Sequence, residues 1–588
     1  MSTRPEPQTL DPAAAPPAGS LVLSLVGSGG DGIALLGDLV LAMAAQQGLY
    51  GMMVQSYGPQ IRGGESAAIL RIAREEVHWE GEETDVLLCF RARDLARFAG
   101  AVKLHRASLV VLEASDDAPL PEWLGRSARP EFRYPFATFV DGVEAEGEPK
   151  NMMALALLCR VLGWPASLAH RMLERRFGRR PAVAQRNRAA FDRAWAAGEA
   201  VPALPHLAGH GVPLYIESGN EAIARGAIEA GVRFFAGYPI TPASEIMETL
   251  IDELPAVGGR VVQAEDEIAA IGMVLGASFG GVPAMTATSG PGLSLKTEMM
   301  GLASMAEIPA IIVDCQRAGP ATGMPSRTEQ ADLNHALYAG HGDFPRVVLG
   351  VFDAVHARDV MHRAVRLSEG YQLPVLVLSD AYIAQRRTVR DHPSDNRGQP
   401  KRVAWKPGDP PARFHLTGDQ VVSPFRIPGT PGGQYLSAGI EHTLEGYPSA
   451  SGEVHQMMNE KRFRKLPAIA RETRDWVRTL GRDDAPFGLV AWGSLSGLLR
   501  EWVRERPEWR VFLPEIIHPF PVEAFTAWRE GLQWLGVVEL SFGAQLHRYM
   551  STVTDMRGVA SLGRSGGMSI TASELDRMLA AARKEAGR

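Results

Sequence analysis

The chain has 588 residues, of which 45% are apolar and 22% charged, and its formal charge is −6. These are the proportions of a globular protein, and so small a charge for the size offers no electrostatic case for nucleic acid or an anionic membrane. No apolar run approaches the roughly 18 residues of a membrane helix, so membrane insertion is not expected, and the length implies several domains.

Residues 1–18 are Pro/Ala-rich, contain Glu6 and Asp11, and lack an apolar h-region, so they read as a disordered tail rather than a signal peptide. The apolar run Leu21–Val26 breaks into Gly27-Ser28-Gly29-Gly30-Asp31-Gly32 and then a helical pattern over Ile33–Gln47. A strand, a glycine turn and a helix in that order open a Rossmann-like α/β domain, assigned to 19–200. The turn's backbone amides suit a phosphate, and Arg62 adds a charge; a tight turn without a ligand is the competing reading. A dinucleotide is disfavoured, since no acidic residue ends a strand about 20 residues on. Basic clusters at Arg171–Arg180 and Lys461–Lys465 are interrupted by apolar residues and read as solvated helix faces.

Residues 201–212 are punctuated by Pro and Gly and read as a linker. Over 213–386, runs such as Arg233–Ala236, Pro283–Ala287, Ala310–Asp314 and Pro374–Leu378 alternate with helical patterns. That alternation predicts a doubly wound, mostly parallel sheet covered on both faces. Residues 387–485 read as a crossover, polar and Pro-rich to about Gly433 and helical over Ser451–Thr479. Strand–helix alternation resumes over 486–588. Cys89, Cys159 and Cys315 are far apart and read as isolated buried thiols. They suggest a reducing, cytoplasmic compartment and argue against an iron–sulfur cluster within the chain.

Three strings carry the chemistry: Gly237-Tyr-Pro-Ile-Thr-Pro242, Gln263-Ala-Glu-Asp-Glu-Ile-Ala-Ala270 and Thr288-Ser289-Gly290-Pro291-Gly292. A thiamine enzyme needs a carboxylate beside N1′ of the aminopyrimidine. Sharing a proton there favours the imino tautomer, whose 4′-nitrogen takes the proton from thiazolium C2. Glu267 falls in the first turn of a helix at the mouth of a sheet, although Glu265, Asp266 or Glu267 could equally serve the helix dipole. Thr241 fits an N-cap with Pro242 at the first helical position. The Gly/Pro loop Cys315–Gln330 holds Arg317 and Arg327, and a guanidinium grips a carboxylate bidentately; a surface salt bridge is the plain alternative. Gly30-Asp31-Gly32 imitates a thiamine metal motif, but no Asn occurs before Asn151, so no metal ligand is assigned to this chain.

Together these strings resemble the α subunit of 2-oxoacid:ferredoxin oxidoreductases, in the form carrying a γ domain at its N-terminus. The resemblance implies a γ domain, a thiamine pyrimidine-binding-type domain and a transketolase-C-like domain, the last on Gly488–Ser494 and Val538–Gln545. Glu539-Leu540-Ser541 departs slightly from the family's acidic–Asn pair, and this domain is expected to work in packing and interfaces. By the same resemblance Glu267 activates the aminopyrimidine, Thr288–Gly292 contacts the cofactor, and Thr241 and Arg317 hold the substrate's carboxylate and 2-oxo end. Arg327 is offered for a second carboxylate, as in 2-oxoglutarate, with Ser326 or Thr328 as substitutes. The turn Gly27–Gly30, with Arg62, is associated with coenzyme A. A β subunit is expected to bring the diphosphate and Mg²⁺ site and a 4Fe–4S cluster, in an α2β2 assembly that reduces ferredoxin. Two rivals stay open: a non-redox thiamine decarboxylase or acyl transferase split over two chains, and a silent coenzyme A- or nucleotide-binding protein of the same fold.

Overall fold

The computed structural model describes residues 19–57, 65–136, 149–197, 203–393, 402–409, 412–416, 418–585 and 587. The tail 1–18 and Arg62 lie outside the described residues. The chain divides into two compact units, one reaching Glu217 and regaining Arg386–Pro393, the other holding Ser218–Gln385 and Ser394–Arg588.

The first unit is built on a mixed eight-stranded sheet. Its spatial order is Phe132–Tyr134, Leu104–Glu113, Thr84–Cys89, Ser20–Ser28, Glu65–Ala73, Tyr50–Tyr57, Arg387–Arg390 and Tyr215–Ser218. Ser20–Ser28 runs parallel to Thr84–Cys89 and antiparallel to Glu65–Ala73. Alternate side chains of a strand face opposite ways. Leu21, Leu23 and Leu25 join the core formed with helix Ile33–Gln46, while Val22 and Val26 pack with Leu87, Leu95 and Phe98. That is why this strand is apolar without alternation. The helix starts at Gly32, whose φ of 74° is left-handed and where a Cβ would come within 2.3 Å of Asn151.

Two stretches read as connectors are tied into this unit. Leu204 N donates to Val161 O at 2.8 Å and Leu214 N to Ala45 O at 2.9 Å, so the backbone of the Pro/Gly-punctuated segment is anchored. Arg387–Arg390, expected in the polar crossover, is a strand antiparallel to Tyr50–Tyr57, with Val389 buried. Four residues among prolines carry too little periodicity to announce a strand.

The second unit holds two sheets. The seven-stranded one runs Ile516–His518, Val347–Gly350, Pro374–Asp380, Ala310–Gln316, Ala284–Thr288, Phe234–Gly237 and Arg260–Gln263, parallel throughout except for its edge strand Ile516–His518. Helices such as Gly219–Glu229 and Ala354–Tyr371 cover one face and Glu267–Phe279 the other, each with its own apolar cluster. The five-stranded sheet runs Val477–Gly481, Trp509–Pro514, Phe487–Val490, Trp534–Glu539 and Ala560–Gly563, with only Val477–Gly481 antiparallel. The helical pattern over Ser451–Thr479 becomes two helices, Gly452–Phe463 and Lys465–Glu472, and then that edge strand.

Candidate active site

The strands Arg260–Gln263, Phe234–Gly237, Ala284–Thr288 and Ala310–Gln316 are parallel neighbours, and each chemistry-bearing motif follows one of them. Loops leaving the carboxyl ends of parallel strands converge at one edge, where such sheets carry their sites.

Glu267 is the first residue of helix Glu267–Phe279, and the cap is Asp266, whose Oδ1 accepts the Ala269 amide at 2.7 Å. The Glu267 side chain is thus released from capping, and it is buried to 6% exposure. Gly292 lies against it: a Cβ there would sit 2.6 Å from Glu267 Oε1 and 2.0 Å from Thr288 Oγ1. Only glycine fits this close approach. Ser289 Oγ is buried with no hydrogen-bond partner among the described residues. Lys296, fully buried, donates from Nζ to Glu267 O at 3.1 Å. Burial pulls its ammonium down to about 8, against the opposing charges of Glu267 and Asp266. The Glu267 carboxylate and the Thr288 hydroxyl thus meet at the side-chain-free backbone of Gly292, a cradle with room for a flat, polar-edged group.

Thr241 does not cap the next helix, which begins at Ser244 with Ala243 in the cap position and no side-chain cap. The turn is fastened by side chains instead: Asn220 Nδ2 donates to Pro242 O and Arg317 Nη1 to Thr241 O, each at 2.7 Å. Thr241 and Arg317 are therefore brought together. Arg317 is 7% exposed and its Nε has no partner among the described residues. Arg327 lies elsewhere in the same loop. Its carbonyl accepts the Ala318 amide at 2.9 Å, and its stem packs where a Cβ on Gly567 would stand 2.7 Å away. Ser326 is exposed and Thr328 buried.

A cavity of about 690 Å³ opens beside this cradle, walled by Gly290, Pro291, Arg317, Asp332, His335 and Phe542 among others. The segment Glu329–Asn334 that forms one wall is stitched to the C-terminal sheet. Gln330 Nε2 donates to Trp492 O at 2.8 Å, Leu540 N to Gln330 Oε1 at 2.9 Å, and Asn334 N to Gln545 Oε1 at 2.7 Å. In the first unit, Gly27 and Ser28 end their strand and Gly29 and Gly30 form an exposed turn. Asp31 Oδ2 accepts the Ser28 amide at 2.8 Å and Ser28 Oγ donates to Asp94 at 2.7 Å.

A family model described as the thiamine diphosphate-binding part of pyruvate flavodoxin/ferredoxin oxidoreductase matches residues 225–461. Another, described as pyruvate ferredoxin/flavodoxin oxidoreductase, matches residues 22–197. The 2-oxoglutarate oxidoreductase subunit KorA of Mycobacterium tuberculosis is 32% identical over 530 residues, 82% of this chain and 79% of its own. The 2-oxoglutarate synthase subunit KorA of Methanothermobacter marburgensis is 34% identical over 372 residues, 60% of this chain and 95% of its own. A solved 2-oxoglutarate:ferredoxin oxidoreductase from Magnetococcus marinus, with 2-oxoglutarate, coenzyme A and succinyl-CoA bound, aligns with a TM-score of 0.88 at 31% identity, covering 97% of this chain and 100% of that one. The chain belongs to the 2-oxoacid:ferredoxin oxidoreductase family.

As a member of this oxidoreductase family, the chain carries a thiamine diphosphate-binding domain, and Glu267, Thr288–Gly292, Thr241 and Arg317 all fall within the matched span. So do residues that the motifs did not single out: Lys296, Asp314, Asp332 and His335. Lys296 left a trace, a charge in an apolar helical stretch four residues beyond Gly292. Asp314 left another, an acid inside an apolar strand.

Proposed function

We propose that this chain is the α subunit of a 2-oxoglutarate:ferredoxin oxidoreductase, converting 2-oxoglutarate and coenzyme A to succinyl-CoA and carbon dioxide while electrons pass to ferredoxin. The observation that carries the reading is the cradle of Glu267, Thr288 and Gly292 within a thiamine-binding span. Thiamine diphosphate, when bound, supplies the nucleophilic carbon and the electron sink that decarboxylation of a 2-oxoacid requires. Glu267 would share a proton with the aminopyrimidine, which its burial strengthens by excluding competing water. Thr288–Gly292 would line the ring. Arg317, steadied by the Thr241 carbonyl, would present its remaining N–H groups to the substrate carboxylate, with the Thr241 hydroxyl near the 2-oxo end.

The diphosphate, Mg²⁺ and 4Fe–4S cluster are assigned to a β subunit, in an α2β2 assembly within the cytoplasm. Apolar side chains around the cradle favour a covering partner. Tyr238, Ile268 and Leu295 are 43–49% exposed and Phe542 89%, a costly display for a surface meant to stay wet. Coenzyme A is assigned to the glycine turn Gly27–Gly30 with Arg62, and 2-oxoglutarate's distal carboxylate to Arg327, or to Ser326 or Thr328 in its loop. The relatives' names and the bound ligands of the Magnetococcus enzyme favour 2-oxoglutarate. Co-expression with the β subunit and coenzyme A-dependent viologen reduction over a panel of 2-oxoacids tests this. Turnover should be fastest with 2-oxoglutarate, and none with any member would refute the reading. Should Arg327→Ala leave the preference over pyruvate unchanged, the distal-carboxylate role of Arg327 is wrong.

A further inference from the structure

Asp332 in the cavity wall and the buried Asp314 make a pair of carboxyl groups that no step above uses. Asp314 is near the end of strand Ala310–Gln316, in register with Thr288, and is fully buried. Both of its carboxyl oxygens, and Asp332 Oδ2, lack a hydrogen-bond donor from any other described residue. The group that meets Asp314 is Asp332 itself. Two carboxylates cannot both carry charge in contact without donors, because burial and mutual repulsion each penalise the second charge; a proton between them removes the penalty and makes a hydrogen bond.

Asp332 is also fixed from outside. Its amide donates to Gln316 Oε1 at 3.1 Å, and its Oδ2 lies where a Cβ on Gly290 would come within 2.8 Å. It shares the cavity wall with Arg317, and of the charges acting on Asp332 that of Arg317 is the one opposite in sign. Arg317 is thus a buried guanidinium with one N–H donated to Thr241 O and a counter-charge in Asp332.

We infer that Asp314 and Asp332 hold one proton between them at neutral pH, and that Asp332, acting through Arg317, is a positioning residue that sets how strongly the site grips the carboxylate of its substrate. The second half of this rests on the 2-oxoacid reading above. A substrate carboxylate at Arg317 competes with Asp332 for the same cation. It competes best when Asp332 is protonated.

The direction with pH follows from the surroundings. Burial raises the Asp332 carboxyl to about 6, and Glu329 adds to the rise, while the Asp314 hydrogen bond and Arg317 oppose it. Asp314 is raised well above the carboxylate range by burial and then by Asp332. Other titratable groups nearby include Cys315, raised by burial and by Asp314, His335, driven down by burial, and Asp380 on the adjacent strand, raised by burial and bonded to the Ile383 amide. The loop from the C-terminal sheet contributes Ser541 and Gln545, which do not titrate. As pH falls through the raised range of Asp332 the pair becomes neutral, and as pH rises through it the pair gains one negative charge facing the incoming anion.

The test uses the co-expressed α–β complex and KM for 2-oxoglutarate between pH 5.5 and 7.5. In the wild type KM should rise about three- to tenfold across this range, while Asp332→Asn should hold it near the low-pH value throughout, with kcat changing far less. A variant whose KM keeps the wild-type pH profile overturns the positioning role while leaving the proposed function standing. Absence of turnover with every 2-oxoacid removes both. The shared proton has its own readout, which survives either outcome. The infrared difference between wild type and Asp314→Asn at pH 7 should contain the carbonyl band of a protonated carboxyl, and its absence overturns the pair.

Discussion

A Cβ at position 292 would have to occupy space held by Thr288 Oγ1 and Glu267 Oε1. Gly292→Ala must therefore tilt the carboxylate or open the turn. Since misplacing a reacting group by about 1 Å costs on the order of 100-fold, viologen reduction by the complex should fall by about that factor, with little change in Tm. Glu267→Gln keeps the shape and removes the proton donor and acceptor, so kcat should fall by roughly 10²- to 10⁴-fold. Lys296 makes a prediction of opposite kind, about stability. Its folded pKa of about 8 lies below the unfolded value of 10.5. The unfolded chain therefore binds more protons between these values, and stability rises with pH across that window. Measured by denaturant unfolding, the wild type should gain about 2 kcal/mol on Lys296→Met between pH 7 and 9.5.

At the scale of elements, helix Glu267–Phe279 depends on a cap, Asp266, that is not the residue proposed to be catalytic. Asp266→Ala removes the bond to the Ala269 amide and should cost about 1 kcal/mol, with kcat lowered because Glu267 is the very next residue. The crossover is held by a buried charge cluster, and Lys461 and Lys465, expected on a solvated helix face, belong to it because they pair with Glu307. Glu307 is fully buried and meets Lys461, as well as Lys465 Nζ at 2.8 Å, while Arg413 Nη2 donates to its carbonyl at 3.3 Å. Burial opposes the Glu307 charge, but Lys461, Lys465 and Arg413 hold its carboxyl below the usual range. Glu307→Gln strands two buried ammonium groups and should destabilise this unit by about 3–5 kcal/mol, read as a loss of Tm.

These elements also mark what a linear reading can reach. Strands such as Ala310–Gln316 and Pro374–Asp380 were legible because they are apolar runs alternating with helical patterns, and the motifs were legible because they follow strands of that sheet. The strands Arg387–Arg390 and Val477–Gly481 were not, since their sequences, Arg-Thr-Val-Arg and Val-Arg-Thr-Leu-Gly, carry charged residues and no apolar run. Thr241 had the composition of a cap, but the two carbonyls of its turn are claimed by Asn220 and Arg317, which no local pattern encodes. Glu267 could be proposed from sequence but not separated from Asp266, because the choice between them is one of side-chain direction. The Asp314–Asp332 pair needs both the strand and the loop, eighteen positions apart, folded onto each other.

At the scale of the whole molecule, exposed apolar side chains border the cradle of Glu267, Thr288 and Gly292, with Phe542 the most exposed of them. The proposed function puts the catalytic centre between this chain and another, and the similar KorA proteins are named as subunits. The direct measurement is coenzyme A-dependent viologen reduction with 2-oxoglutarate by this chain alone, by the β subunit alone, and by the two reconstituted, with Glu267→Gln in parallel. Activity should appear only in the reconstituted wild-type pair and fall at least about 100-fold with Glu267→Gln. Turnover by this chain alone, or an undiminished rate in the Glu267→Gln pair, would contradict the account.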